Sequence, residues 1–327
     1  MLCIQNNSTD PYFNLAAEEY LLRNFKENCF MLWRNKPSII VGKHQNALAE
    51  INYEYVKENN INVIRRLSGG GTVFHDLGNL NFTFIQNVNA NENLVDFKKY
   101  IKPIVAVLNQ LGINAKHEGR NDIMIDGKKV SGNAEHVFKR RVLHHGTLLF
   151  SSVISDLSKA LKVNPLKYQD KGVKSVKSRV TNISECLPNK ISVLEFQDKI
   201  LSYIKESEPN IDNYIFSKTD IDQINKLVKD KYLTWDWNYG YSPKYSFEKT
   251  IKISHDKIEI QMNVEKGIIA DITIKSDSID KSDVSFVEQK LIGINHEEHS
   301  IFKALSDIPN NRFLKALPLS KFIKSLF

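Results

Sequence analysis

Arg65-Arg66-Leu67-Ser68-Gly69-Gly70-Gly71-Thr72-Val73-Phe74-His75-Asp76 links two short β-type runs through three consecutive glycines. Residues 61–66 lead into it as one strand candidate, and residues 72–75 and 79–85 leave it as two more, joined by a Leu77-Gly78 turn. Glycines lack a Cβ, so such a loop lets the backbone approach a ligand closely and point several N–H groups at one anion. The arginine pair ahead of it offers a planar guanidinium to a phosphate or carboxylate. For a bare Gly-Gly-Gly a plain flexible hairpin is the better account. The segment is not a Walker loop, because no Gly-Lys-Ser/Thr follows. Nor is it a dinucleotide fingerprint, because its glycines are contiguous and open onto a strand. Strand follows strand here, and elsewhere helices and strands do not alternate strictly. The chain therefore reads as an α+β, mixed-sheet protein rather than a doubly wound one.

On the N-terminal side, Asp10-Pro11 reads as a helix cap followed by proline at the first helical position, with Tyr12, Leu15, Glu19 and Leu22 at helical spacing. Residues 29–34 and Ser38–Val41 are β-type runs around Asn35-Lys36-Pro37. On the C-terminal side, Phe97, Ile101, Ile104, Val105, Leu108 and Leu111 line one helical face that Gly112 ends, and Pro103 predicts a kink or a later start. Asp126-Gly127 marks a tight turn between strands at 121–125 and 128–131. A strand at 142–150 and amphipathic helices at 152–161 and 193–204 follow. The aromatic, turn-rich stretch from Trp235 to Pro243 reads as a boundary, so residues 1–245 form one domain and residues 246–327 a smaller one. In the latter, Ile258, Ile260, Met262 and Val264 alternate as a half-buried strand would.

The 327 residues carry 45 Lys+Arg against 38 Asp+Glu, a net charge of +7, with 42% hydrophobic and 25% charged residues. That balance excludes disorder, collagen and coiled coil as the main state. No apolar run approaches the ~20 residues of a membrane span. The N-terminus lacks a basic start and an apolar block, so no signal peptide is expected. Cys3, Cys29 and Cys186 show no CxxC spacing, which argues against a zinc ribbon or disulfide framework and for a reducing, cytoplasmic setting. The lysines are scattered, and Lys139-Arg140-Arg141 is the densest basic cluster. The basic excess reads as a solvated surface suited to an acidic protein partner, with no nucleic acid and no membrane expected.

Lys128-Lys129-Val130-Ser131-Gly132-Asn133-Ala134 follows Gly119-Arg120-Asn121-Asp122. Strand alternation puts Lys129 and Ser131 on one face and Lys128 on the other, so one lysine can enter a pocket while its neighbour meets water. A solvated strand edge is the plainer reading of the same pair. His144 and His145, adjacent on a strand, face opposite sides and cannot easily share a metal, which favours hydrogen-bonding roles.

In their order, Asp10-Pro11-Tyr12-Phe13-Asn14-Leu15-Ala16, Trp33-Arg34-Asn35, Gln45-Asn46, the glycine segment, Gly119-Arg120-Asn121-Asp122, Lys129-Val130-Ser131-Gly132, His144-His145-Gly146-Thr147-Leu148-Leu149, Lys171-Gly172-Val173-Lys174-Ser175-Val176 and Ser178-Arg179-Val180-Thr181-Asn182 resemble the lipoate–protein ligase A family. The resemblance covers most of residues 1–245 and only weakly the rest, where no single motif matches. It implies a large mixed β-sheet domain with packed helices, as in the biotin/lipoate ligase superfamily, plus a smaller α+β C-terminal accessory domain. It also implies a ligase that uses ATP, with Mg2+, to activate lipoate as lipoyl-AMP. The lipoyl group then passes to a lysine of apo lipoyl domains, in 2-oxoacid dehydrogenase complexes and the glycine cleavage H protein.

The resemblance casts Lys129 as the catalytic cation and as a contact to both ATP and lipoate. It assigns Arg66, Gly71, Thr72, Val73 and Phe74 to ATP, with Phe74 stacking or packing on adenine. Gly70 and Trp33 would contact lipoate, Trp33 serving as slot wall or as core. Lys171, Gly172, Ser175 and Ser178 fall on a loop closing over the adenylate, and Asp122 is the candidate for metal or ribose. The accessory domain would move as that loop closes. Two alternatives differ in chemistry. An octanoyl or lipoyl transferase would need an activated cysteine, and Cys186 has no His or Lys beside it, whereas Cys3 and Cys29 precede the site motifs. A non-catalytic lipoate-binding module would keep the pocket without Lys129.

Overall fold

The computed structural model describes residues 1–161, 167–176, 178–208, 210–253, 256–308 and 311–327. The helix Pro11–Asn24 begins as its sequence dictates, with the Asp10 carboxylate accepting the Tyr12 N–H at 2.9 Å and Pro11 in the first turn. It lies on an eight-stranded sheet ordered Asp212–Ile215, Leu2–Gln5, Cys29–Trp33, Asn79–Asn87, Arg141–Leu149, Lys128–Phe138, Asp122–Ile125 and Ala115–Glu118. The first two pairings are parallel and the rest antiparallel, so the sheet is mixed.

The opposite face is covered by Phe97–Gln110 and Val193–Ser207, whose Ile101, Ile104, Leu108, Phe196 and Ile200 pack with Phe82, Phe84 and Val142. Phe97–Gln110 neither starts late nor stops at Pro103. Its Asp96 cap accepts the Lys99 N–H at 3.1 Å, and Lys99, whose carbonyl Pro103 cannot serve, is exposed. Gly112, at φ +83°, follows the helix end as anticipated.

A second sheet sets Ser38–Val41 between parallel Asn62–Arg65 and antiparallel Val73–His75. It is buried on both faces, and its alternation distributes side chains between two cores. Ile40 and Ile64 join Leu15, Met31 and Trp33, while Ile39, Val41, Val63 and Phe74 join Phe247, Ile260, Met262 and Phe322 of the C-terminal region. That region is an antiparallel sheet of Tyr168–Asp170, Tyr245–Ile253, Asp256–Glu265 and Ile268–Ser276, followed by short helices. Its first strand comes from far upstream of residue 245, and its core is continuous with that of the smaller sheet.

Candidate active site

One row of residues crosses the large sheet. Trp33 pairs with Asn81, Asn81 with Thr147, and Gly132 with Asp122, while the Gly132 N–H donates to Thr147 Oγ1 at 3.2 Å. Four strand spacings separate Trp33 from Asp122, about 19 Å. Over this row lies a cleft of about 530 Å³, bordered by the glycine loop, by Lys129, by residues 173–176 and by Ser178.

The glycine loop owes its shape to two buried arginines. Arg66 donates to Ser68 Oγ at 2.9 Å and to the carbonyls of Ile40, Gly69 and Gly71 at 3.0, 2.6 and 2.8 Å. Its guanidinium borders the cleft, but most of its donors hold the loop together, contrary to the expectation of an arginine free for phosphate. Arg65, fully buried, donates to the carbonyls of Gly42, Lys43, Gln45, Trp237 and Asn238 and to Ser242 Oγ, all within 3.1 Å. Burial draws both guanidinium groups down to about 10, which leaves them charged at neutral pH. Gly70 has φ +89°, and its carbonyl comes so near Gly42 that a Cβ there would sit 2.0 Å away. Val73 lines the cleft. Phe74 does not, since the next position on the strand faces the C-terminal core, so its ring is unavailable to stack on a base.

Ser175 docks on this loop. Its hydroxyl accepts the Thr72 N–H at 2.9 Å and the Gln45 amide at 3.2 Å, and it donates to Glu50, whose carboxyl is raised chiefly by burial. Ser175 and Ser178 line the cleft, whereas Lys171 and Gly172 do not, although the Gly172 N–H anchors the segment on Asp170 at 2.7 Å. Val176, 87% exposed, stands out from the same segment.

Lys129 reaches Asp122 at 2.8 Å, the two side chains being 26% and 30% exposed. Its backbone is gripped by residues beyond the docking loop: its N–H donates to Arg179 at 2.8 Å and its carbonyl accepts from Thr181 at 3.2 Å. Lys128 is exposed, in keeping with the face assignment. The pairing of Lys129 with Ser131 does not hold. A bulge sets Met124 opposite Lys129 and Ile123 opposite Ser131, leaving Val130 extra, and both Val130 and Ser131 are fully buried. Asp122 is thus the counter-ion of Lys129, and among the described residues no three His, Cys, Asp or Glu side chains gather as a metal cluster.

The inner end of the cleft is walled by Leu15, Trp33, Ile40, His75 and Asn81. Trp33 is both wall and core, and its indole N–H donates to Thr83 Oγ1 at 2.9 Å. Thr83 donates to Glu18 at 2.6 Å, Glu18 meets His145 Nδ1 at 3.0 Å, and His145 Nε2 meets Ser68 Oγ at 2.6 Å. His144 lies on the other face, against Glu135 and the Phe82 and Tyr100 rings, so the two histidines separate as alternation requires. His75, Asn81 and His145 were not singled out as site residues. A usable signal was present in Asn79, Asn81 and Thr83, polar at every second position of an otherwise apolar strand. The three cysteine thiols are raised, chiefly by burial, Cys29 to about 12, and none lines the cleft.

One cleft lined by apolar Leu15, Trp33 and Ile40, by the Lys129 cation and by the glycine loop holds the parts an enzyme needs to activate a carboxylic acid with a nucleotide. Family models for the lipoyl protein ligase A/B catalytic domain and for the bacterial lipoate protein ligase C-terminus match residues 10–205 and 242–326. The chain is 44% identical to lipoate–protein ligase 1 of Staphylococcus aureus, covering 92% of each chain. Among solved structures, P. falciparum LipL1 in complex with lipoate superposes with TM-score 0.63 at 29% identity, covering 99% of both chains. A lipoate–protein ligase A bound with ATP gives 0.63 at 26% identity over 73% of this chain and 98% of that one. The chain belongs to the lipoate–protein ligases, and its fold is that of the biotin/lipoate ligases.

Proposed function

We propose that this protein converts lipoate and ATP to lipoyl-AMP and pyrophosphate, then transfers the lipoyl group to a lysine of an apo lipoyl domain. The observation that carries this reading is that Lys129 lines the same cleft as the glycine loop and the apolar wall of Leu15, Trp33 and Ile40. A carboxylate entering from the slot and an α-phosphate on the loop both bring negative charge to that point. A fixed cation there offsets the charge that grows as the carboxylate oxygen attacks phosphorus and pyrophosphate leaves. Lys129 then holds the mixed anhydride while the acceptor amine attacks the acyl carbon and AMP departs.

The backbone of Gly71, Thr72 and Val73 serves the phosphates, with Gly70 at the acid's polar head and Trp33 along its tail. Because the Ser175 hydroxyl occupies the Thr72 N–H, ATP entry requires the segment from Lys171 through Ser178 to lift and then reseat over the adenylate, where it excludes water. Phe74 and Arg66 act from beneath, as packing and as loop frame. Mg2+ binds with few carboxylates plus nucleotide phosphates, which suits Asp122 as its protein ligand.

Residues 246–327 serve as the accessory domain to a catalytic domain of residues 1–245. The acceptors are the lipoyl domains of 2-oxoacid dehydrogenase complexes and the glycine cleavage H protein, to which the +7 charge is complementary if they are acidic. Among the described residues no helix is long and apolar enough to cross a membrane, and we place the activity in the cytoplasm. A cysteine-thioester transferase finds no support in a cleft without a thiol. Mass spectrometry of an apo lipoyl domain incubated with enzyme, ATP, Mg2+ and lipoate tests the reading. One lipoyl addition that requires ATP is expected, and modification without ATP would overturn it.

A further inference from the structure

His75 is 3% exposed, borders the inner end of the cleft, and stands edge-on to Trp33 with ring centroids 5.9 Å apart. Its protonation can be read from its neighbours. Asn14 donates to Asn35 Oδ1 at 2.8 Å, which fixes the Asn35 amide so that its NH2 group points at His75 Nδ1, 3.1 Å away. Nδ1 therefore accepts, and the ring, kept neutral by burial, carries its proton on Nε2. That Nε2 has no partner among the described residues. Asn81, also lining the cleft, accepts the Asn79 side-chain N–H on its Oδ1 at 2.9 Å, and its own NH2 group has no partner among the described residues. Two buried donors without acceptors, among Leu15, Trp33 and Ile40, are costly unless something arrives to accept from them.

We propose that His75, seconded by Asn81, recognises the sulfur atoms at the tail of the bound acid and so makes the enzyme prefer lipoate to a sulfur-free acid of like shape. The proposal rests on the ligase reading above. With the carboxylate drawn to Lys129, the far end of the acid lies at His75. Lipoate presents a ring with two sulfurs there, which are weak acceptors, whereas octanoate presents only carbon and would seal both donors against a methyl group. Selectivity then comes from the analogue's failure to satisfy buried donors, which discriminates better than the fit of an apolar wall.

The test is pyrophosphate release by the full-length enzyme with lipoate, octanoate and the carbocyclic analogue in which cyclopentane replaces the dithiolane. The wild type should favour lipoate over the carbocycle in kcat/KM by roughly three- to tenfold, a net neutral hydrogen bond. In His75→Leu the kcat/KM ratio of lipoate to carbocycle should fall to about one, whatever the absolute rates, and in His75→Gln, which keeps an N–H donor, much of the ratio should persist. Equal use of lipoate and carbocycle by the wild type would overturn the proposal, and needs no variant to fold. So would a His75→Leu enzyme that keeps the wild-type ratio between the two acids. No pyrophosphate from the wild type with any acid would overturn the ligase reading itself, a result distinct from the other two.

Discussion

Replacing Lys129 by alanine should separate catalysis from stability. The ammonium group meets Asp122 at 2.8 Å with about a quarter of its side chain exposed. Such a partly solvated pair contributes no more than about 1 kcal/mol to folding. Asp122 keeps access to water when its partner goes, so the melting temperature should fall by only about 2–4 °C. Adenylation loses the fixed charge at the meeting point of carboxylate and phosphate. Losing one preorganised group of that kind costs about 3–4 kcal/mol in the transition state, a fall of roughly 100- to 1,000-fold in pyrophosphate release. Lys128→Ala, exposed on the other side of the strand, is the control and should stay within about twofold of wild type, well under 1 kcal/mol. The assay is initial pyrophosphate release with ATP, Mg2+ and lipoate, paired with thermal melts of all three proteins. A Lys129→Ala enzyme that keeps a third of its rate, or equal losses for the two lysines, would refute the assignment.

Gly71→Ala brings a Cβ to 3.1 Å from Ser175 Oγ and 3.3 Å from its Cα, at a φ any residue tolerates. It should leave the melting temperature nearly unchanged while lipoyl-AMP escapes from the enzyme severalfold faster, measured by trapping the released adenylate. Arg65→Ala strands five carbonyls and a hydroxyl in the interior and should cost more than about 4 kcal/mol in urea unfolding. A loss under about 1.5 kcal/mol would mean that water replaces the guanidinium. His296 accepts from the Tyr245 hydroxyl at 2.6 Å and donates to the Leu326 carbonyl at 2.7 Å, and burial pulls its pKa down to about 4. Unfolded, it protonates near 6.5, so stability should fall as pH drops from about 6.5 to about 4 and be insensitive to this group above that window. His296→Gln should flatten the slope by about 1.4 kcal/mol per pH unit in urea titrations, and an unchanged slope would contradict the assignment.

Much of the site was legible because it rests on short-range patterns. The glycine loop, Lys129 set against Lys128 and the diverging histidines follow from strand periodicity and composition, whereas Trp33 came forward only through the family resemblance. What escaped depends on long-range partners. Ser175 and Glu50 are 125 positions apart, and nothing near either residue announces the other. The bulge at Val130 breaks the alternation that tied Lys129 to Ser131, since one extra residue leaves no mark in composition. Arg65 and Arg66 looked like ligand-binding cations because a sequence does not reveal that nearby carbonyls need donors. Phe74 looked like a base-stacking ring until the second sheet proved buried on both faces.

Tyr168–Asp170 is the strand that closes the C-terminal sheet, and it leads directly into the segment that docks on the glycine loop. Its partner, Tyr245–Ile253, lies about 75 positions later along the chain. On a ribosome adding roughly 5–20 residues per second, all of the residues assigned to ATP and lipoate emerge several seconds before that partner. Until it arrives, the segment has only half its footing, the contacts of Ser175 on the glycine loop and Glu50. Late synthesis of the anchoring strand therefore leaves the docking segment without its sheet partner until about three quarters of the polypeptide has been made.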